Sequence, residues 1–355
     1  MIQSLRYGVC VSCDTYNQSA YIKDTLDGFT LQKTNFPFVC TIMDDASTDG
    51  EQQVLLNYLN EQFAVEEKGV AYYKETSTAH IHYARHRTNT NCFFAVVLLK
   101  ENYYSKGRDK RPNVLEWREA STYFALCEGD DYWITPNKLQ MQYDFLENHP
   151  DYGMCYTNFN MYFQQQGIMV KDLAHRNPKQ FPMRYANAED FVVAKQYVCP
   201  PSWLIRYSVY RTYEPMPKCC DATFVMFTHF LCKSKTYYMD TITSVYRILT
   251  ESASHSKNPL VYLERQKLLL ELQYKLIEIY QLDPATRKRC KEGYYKDNLV
   301  FFAENHMTAE LNAMQKVVSP LNMRERILLF LGQFSYTARL LTWIHQKRSL
   351  RRISQ

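Results

Sequence analysis

Tyr123-Phe124-Ala125-Leu126-Cys127-Glu128-Gly129-Asp130-Asp131-Tyr132-Trp133 is an apolar run that ends in three carboxylates. A run this short and unbroken suits a buried β-strand. Carboxylates crowded at its end repel one another and are costly to desolvate, so their usual company is a divalent cation or a ring of donors from a ligand. A solvated acidic loop would serve for an isolated Asp-Asp pair. It does not serve here, because the same signal occurs twice.

The earlier copy is Asp44-Asp45-Ala46-Ser47-Thr48-Asp49-Gly50, after the apolar Phe38-Val39-Cys40-Thr41-Ile42-Met43. Upstream, Tyr7-Gly8-Val9-Cys10-Val11-Ser12 leads into Cys13-Asp14-Thr15-Tyr16-Asn17-Gln18. A helical pattern starts near Ser19, with Ile22, Leu26 and Phe29 in phase. Strand, polar turn, helix, strand, acidic turn is a βαβ opening. In open α/β sheets ligands bind beyond the carboxyl ends of the strands, so the two acidic turns are expected to share one crevice.

Thr15-Tyr16-Asn17, DDASTDG (44–50) and EGDDYW (128–133), in that order, resemble family 2 glycosyltransferases. These are inverting, nucleotide-sugar-dependent enzymes, and the likeness extends to those of bacterial surface polysaccharides. It covers roughly residues 6 to 250 and is strengthened by D-D-Y-W-x-x-P-x-K-L at 130–139. Asp14 departs from the family pattern, which usually has Pro there.

The resemblance implies a GT-A nucleotide-diphospho-sugar transferase fold, a mixed, mainly parallel α/β sheet flanked by helices. It implies a nucleotide-sugar donor, UDP-linked first, held by Thr15, Tyr16, Asn17, Asp44, Asp45, Ser47, Glu128 and Asp130, with Arg247 of Ser244-Val245-Tyr246-Arg247 near the diphosphate. Asp131 would anchor a divalent metal, Mn2+ or Mg2+. Trp133, and Trp203 of Cys199-Pro200-Pro201-Ser202-Trp203-Leu204-Ile205, would face the acceptor, a glycan or lipid-linked glycan of cell-surface polysaccharide biosynthesis. Asp221, at the start of a helix through Phe224, Phe227 and Leu231, has an ordinary explanation as a helix cap. Its position in the family pattern makes it the catalytic base.

Two rival functions differ in what they require. A sugar-phosphate nucleotidyltransferase would carry a Gly-rich phosphate-binding signature near its N-terminus, and no such pattern, G-x-G-x-x-G or P-loop occurs. A catalytically silent glycan-binding protein on the same fold would have broken acidic motifs, whereas these are intact.

Other segments read less sharply. Gly69–Tyr73 is expected as a strand, 91–99 fits a buried helix or strand, and Lys106–Pro112 centres a long basic excursion, either solvated or touching phosphate. Thr135-Pro136 begins a helix through Leu139, Tyr143 and Leu146, Tyr152–Phe159 and Thr236–Met239 read as strands, and Val245-Tyr246-Arg247 resembles the segment that closes the family's catalytic domain. The polar 252–256 run is a lid or a linker. His80, His82 and His86 read as surface or loop residues.

With 355 residues and 46% hydrophobic content, the chain can bury one large core or two smaller ones. The boundary is expected at 255/256, between a catalytic domain (1–255) and a helical C-terminal region (256–355). Eleven cysteines, odd in number and set in apolar stretches, point to reduced thiols in the cytoplasm rather than to a disulfide framework. No signal, anchor or span is expected. Residues 319–355 hold seven Lys or Arg and one Glu, so this tail carries more than the chain's whole net charge of +5. Its helix, with Ile327, Phe330, Leu331, Phe334, Leu341 and Trp343, either lies peripherally on the anionic inner face of the cytoplasmic membrane or packs on the protein. A nucleic-acid partner is set aside because no reading module accompanies the charge.

Overall fold

The computed structural model describes residues 5–185, 187–216, 219–249 and 259–337. The chain divides into two compact units. One comprises 1–186, 196–217 and 222–255; the other takes 187–195, 218–221 and 256–355.

The first unit is built on one mixed sheet. Its strands are β1 (Tyr7–Thr15), β2 (Phe38–Asp44), β3 (Ala71–Glu75), β4 (Ala79–Arg85), β5 (Cys92–Leu99), β6 (Ser121–Leu126), β7 (Tyr132–Trp133), β8 (Tyr152–Phe163), β9 (Ile168–Val170), β10 (Leu204–Arg206) and β11 (Lys235–Ile248). Their order is β3-β4-β5-β2-β1-β6-β10-β8-β11-β7, with β9 on β8. β5, β2, β1 and β6 run parallel and are almost wholly buried. That is why they read as continuous apolar runs rather than alternating ones. Because β1 pairs with both β2 and β6, the three motif-bearing strand ends open on the same edge.

Side chains alternate between two cores. Val9, Val11, Phe38 and Ile42 pack beneath helices Ile22–Thr30 and Glu51–Gln62, whereas Tyr7, Cys10, Val39 and Met43 face Tyr83 and Trp117. Helix Ile22–Thr30 lies hard against β7. A Cβ on Gly28 would come within 2.8 Å of the Trp133 backbone nitrogen, so only glycine permits the approach.

Several expectations change. Residues 91–99 resolve as strand β5. His80 and His82 lie on β4, alternating with buried Ala79, Ile81 and Tyr83, and His86 is buried after it, accepting Asn89 N–H on Nδ1 at 2.9 Å. The helix expected from Thr135-Pro136 begins at Lys138, because Thr135 Oγ1 is bonded to Ile242 O. The strand expected at 236–239 extends through 248 as β11, with register shifts about Ile242.

The second unit is helical: Ala188–Ala194, Pro259–Ile279, Ala285–Glu304, Thr308–Val317 and Met323–Gly332. Its core joins Leu263, Phe302, Leu311, Met314 and Leu329. The tail helix starts at Met323, fixed by a reciprocal Asn322–Glu325 capping box. The 252–256 run, Leu341 and Trp343 lie outside the described residues. All eleven cysteines are free thiols, eight of them buried. Among the described residues no helix is long and apolar enough to cross a membrane.

Candidate active site

The turns after β1 and β2 are tied by a side chain that the motifs did not single out. Glu51, fully buried at the start of helix Glu51–Gln62, accepts hydrogen bonds from Thr15 Oγ1, from Gln18 N at 2.8 Å and from Ser47 Oγ at 2.9 Å. Asn17, at φ 53°, joins the same knot; its N–H donates to Ser47 Oγ at 2.9 Å and its Oδ1 accepts Thr48 N–H at 2.8 Å. Asparagine tolerates this left-handed conformation better than most residues. Burial raises the Glu51 carboxyl above the ordinary range, and its hydrogen bonds pull the other way.

Asp44 and Asp45 are both buried. Asp44 Oδ1 accepts Ser47 N–H at 3.0 Å and Gln52 Nε2 at 2.6 Å. Asp45 accepts the backbone N–H groups of Tyr103 (2.7 Å) and Tyr104 (3.0 Å), which pins the basic excursion against the β2 turn. The excursion closes further through Lys110, whose Nζ lies 3.2 Å from Asp14 Oδ2. The charge that departs from the family pattern thus has a partner. Between these parts lies a cleft of about 450 Å³, lined by Asp14, Thr15, Tyr16, Asp45, Tyr104 and Lys110 among others. Tyr16 is 45% exposed and Tyr104 85%.

The β6 turn is drawn in by the backbone. Cys127 N–H donates to Ser12 O at 3.1 Å and Gly129 N–H to Asp14 O at 3.2 Å, extending the β1–β6 edge into the motif. A Cβ on Gly129 would overlap Thr15 Oγ1 and Gln18 Oε1, so this glycine lets two of the three turns touch. Thr25 Oγ1 lies 2.9 Å from Gly129 O and 2.6 Å from Asp131 O, holding the turn from the helix side.

The acidic turn is electrostatically undersupplied. Glu128 is exposed, yet desolvation by the surrounding protein, then Asp130 and Asp14, push its carboxyl up to about 7 against the pull of Lys110. Desolvation raises Asp130, opposed by Arg247 and Gln18. Desolvation and then Asp130 raise Asp131 more strongly.

Four assignments change in place. Asp131 is buried, and its Oδ1 accepts Arg247 N–H at 2.8 Å, whereas Asp130 is partly open. Arg247 is itself buried and engaged: Nε bonds Asp130 O at 2.7 Å, Nη1 bonds Gln164 Oε1 at 2.5 Å and Nη2 pairs with Asp24 at 2.6 Å. Its guanidinium buttresses the acidic turn instead of standing open to a diphosphate. Trp133 and Trp203, expected toward the acceptor, are core residues with indoles 2% and 0% exposed, which excludes stacking on a sugar. Trp133 Nε1 donates to Pro201 O at 2.8 Å, and the buried Lys138 ammonium sits 4.4 Å from its ring. Asp221, half-buried, directly precedes helix Ala222–Lys233 in sequence and groups with the second unit.

Among the described residues no three His, Cys, Asp or Glu side chains form a ready-made metal cage. The donor set nevertheless fits a hard cation of the kind that binds one or two carboxylates and completes its shell with substrate phosphates. Desolvation, reinforced at Glu128 and Asp131 by neighbouring carboxylates, already holds Glu128, Asp130 and Asp131 toward protonation, which a cation would relieve.

This architecture is the GT-A fold of glycosyltransferases: a mixed sheet flanked by helices, polar and acidic turns at one edge, and a C-terminal helical region. Among solved structures, residues 1–349 of S. aureus TarS in complex with UDP-GlcNAc align with a TM-score of 0.54 at 15% identity, covering 94% of this chain and 87% of that one. The mannosyltransferase PcManGT from Pyrobaculum calidifontis, in complex with GDP-Man and Mn2+, gives 0.52 at 13% identity, covering 94% and 86%. No family model matches the chain. Uncharacterized proteins Mb1547 of Mycobacterium bovis and Rv1520 of Mycobacterium tuberculosis are 33% identical over 142 residues, 40% of this chain. The chain spans about a third of the length of these curated relatives.

Proposed function

We propose that the protein is an inverting family 2 glycosyltransferase. It moves a hexosyl or N-acetylhexosaminyl group from a nucleotide diphospho-sugar, UDP-linked first, to a glycan or lipid-linked glycan acceptor of cell-surface polysaccharide synthesis. The observation that carries this reading is the meeting of three motif turns at one edge of the sheet through Glu51, the Asp14–Gly129 backbone bond and the Asp45 clamp. Eleven free thiols support a cytoplasmic reaction.

In this reading Thr15, Tyr16, Asn17 and Ser47 shape the pocket for base and ribose, with Asp44 and Asp45 holding its walls. Asp130 and Glu128 take the cation and the adjoining ribose, and Asp131 with Arg247 keeps that turn in place. When bound, the cation spreads the charge of the departing diphosphate. Asp221 accepts the proton of the acceptor hydroxyl as its oxygen attacks the anomeric carbon from the face opposite the leaving group.

A thermal-shift and turnover panel of UDP- and GDP-sugars, with and without Mn2+, tests the proposal. A donor that binds the folded state raises the melting temperature, and nucleoside diphosphate is released on turnover. Stabilisation without release, for every donor and acceptor, would favour the silent glycan-binding protein. Nucleotide transfer from a nucleoside triphosphate to a sugar phosphate would favour the nucleotidyltransferase.

A further inference from the structure

Helix Met323–Gly332 is apolar on two sides, and the protein uses one of them. On the inner side Leu329 is 2% exposed and packs with Leu311, Met314 and Val318. Gly332 lets the helix approach closely, since a Cβ there would lie 2.7 Å from Leu311 Cδ1 and 2.9 Å from Ala303 Cα. The tail helix is therefore part of the core of its unit.

On the outer side Met323 (72% exposed), Ile327 (50%) and Phe330 (64%) follow one another at intervals of four and three residues, and Phe334 (38%) lies in the bend just beyond the helix. That spacing draws one stripe along a helix. Phe334 lies with its ring 5.4 Å from Phe330 and 5.7 Å from Tyr336, itself 70% exposed, so the stripe ends in an aromatic cluster facing water. Arg324 and Arg326, both exposed, flank it. From 319 to 355 the sequence supplies seven Lys or Arg against one Glu.

We infer that this outer stripe is a docking surface for an anionic lipid bilayer. The apolar side chains enter the acyl boundary while the arginines meet the headgroups, the arrangement of a helix lying in the interface plane. Charge selects this occupant over a second copy of the chain, because two such faces would bring like charges together whereas an anionic surface is complementary. The inference does not depend on the chemistry assigned to the other unit.

Cosedimentation of the full chain with vesicles of neutral lipid alone, and with a third of anionic phosphatidylglycerol, tests it, with melting curves beside each variant. The intact protein is expected to bind anionic vesicles, more weakly as salt rises and more weakly still to neutral ones. Ile327 and Phe330 are each at least half exposed, so Ile327→Glu with Phe330→Glu should abolish binding while lowering the melting temperature little. Arg324→Gln with Arg326→Gln should weaken anionic binding by roughly 5-fold per arginine while leaving neutral binding alone. If the glutamate variant proves unstable, the arginine variant decides alone. Undiminished binding by the arginine variant, or no binding of the intact chain to anionic vesicles, overturns the inference. So does a dimer of the intact chain that the glutamate variant breaks while both forms bind vesicles equally.

Discussion

Asp44-Asp45 and Asp130-Asp131 close strands on either side of β1, and by sequence they are the same signal. The first pair is given more donors: Ser47 N–H and Gln52 on Asp44 Oδ1, Tyr103 and Tyr104 N–H on Asp45, although Asp44 Oδ2 is buried without a partner. In the second pair Asp131 is buried and Asp130 partly open; Asp131 receives one backbone N–H from Arg247, Asp130 is held by its own backbone and Gln18, and burial raises both carboxyls. A carboxylate supplied with N–H donors builds a turn. One held near others without them is a place for a cation or a ligand.

Five experiments test that contrast. The largest effect is expected at Asp221, which belongs to neither pair. Asp221→Asn keeps the size and capping ability but cannot take a proton, so transfer should drop roughly 10²–10⁴-fold at unchanged donor affinity. Near-normal turnover would leave it a helix cap. Asp130→Ala should lower kcat by roughly 10²–10³-fold and abolish the Mn2+-dependent part of nucleoside diphosphate binding, without lowering the melting temperature. If it unfolds the protein instead, the two pairs do not differ in kind.

Asp45→Ala should do the reverse. It orphans two amides and should cost roughly 1–3 kcal/mol of stability, read from denaturant midpoints, with donor binding weakened through the loosened wall. Next in size is a pH effect. The folded protein retains the Glu128 proton up to about 7 while the unfolded chain releases it near 4.5, so this group's contribution to stability falls as pH rises between those values. Melting temperatures at pH 5, 6 and 7 should show a shallower decline for Glu128→Gln than for the parent, and an identical slope would refute the raised Glu128 carboxyl. The smallest effect is expected for Lys110→Gln. Its partly exposed pair with Asp14 should change stability by less than about 0.5 kcal/mol. Calorimetry should nonetheless show a weaker nucleoside diphosphate and an unaffected nucleoside.

The parallel strands were legible because burial on both faces leaves an unbroken apolar run, as in Phe38–Met43 and Tyr123–Leu126. β4 was missed because His80 and His82 occupy its outward positions, and a polar–apolar alternation with histidine resembles a loop cluster. β11 was read only as far as Met239, where Asp240–Thr243 interrupts the apolar pattern, the same place where its register shifts. The acidic turns could be found as motifs, but their division of labour could not, since it depends on amides from Tyr103, Tyr104 and Arg247, far away in the chain. Glu51 carried no distinguishing mark, because an acid in a first helical turn is ordinary. The tryptophans misled for a general reason: aromatic rings serve cores as readily as sugars, and only burial separates the two.

The Glu51 knot has a consequence for kinetics. With Thr15, Gln18 and Ser47 already bonded to one buried carboxylate, the floor of the cleft is ordered before any ligand arrives. The entropy of arranging those turns is then absent from the encounter with a nucleotide, and association is limited by diffusion and orientation rather than by loop folding. Rapid mixing should therefore give a single association phase whose rate rises linearly with nucleotide concentration.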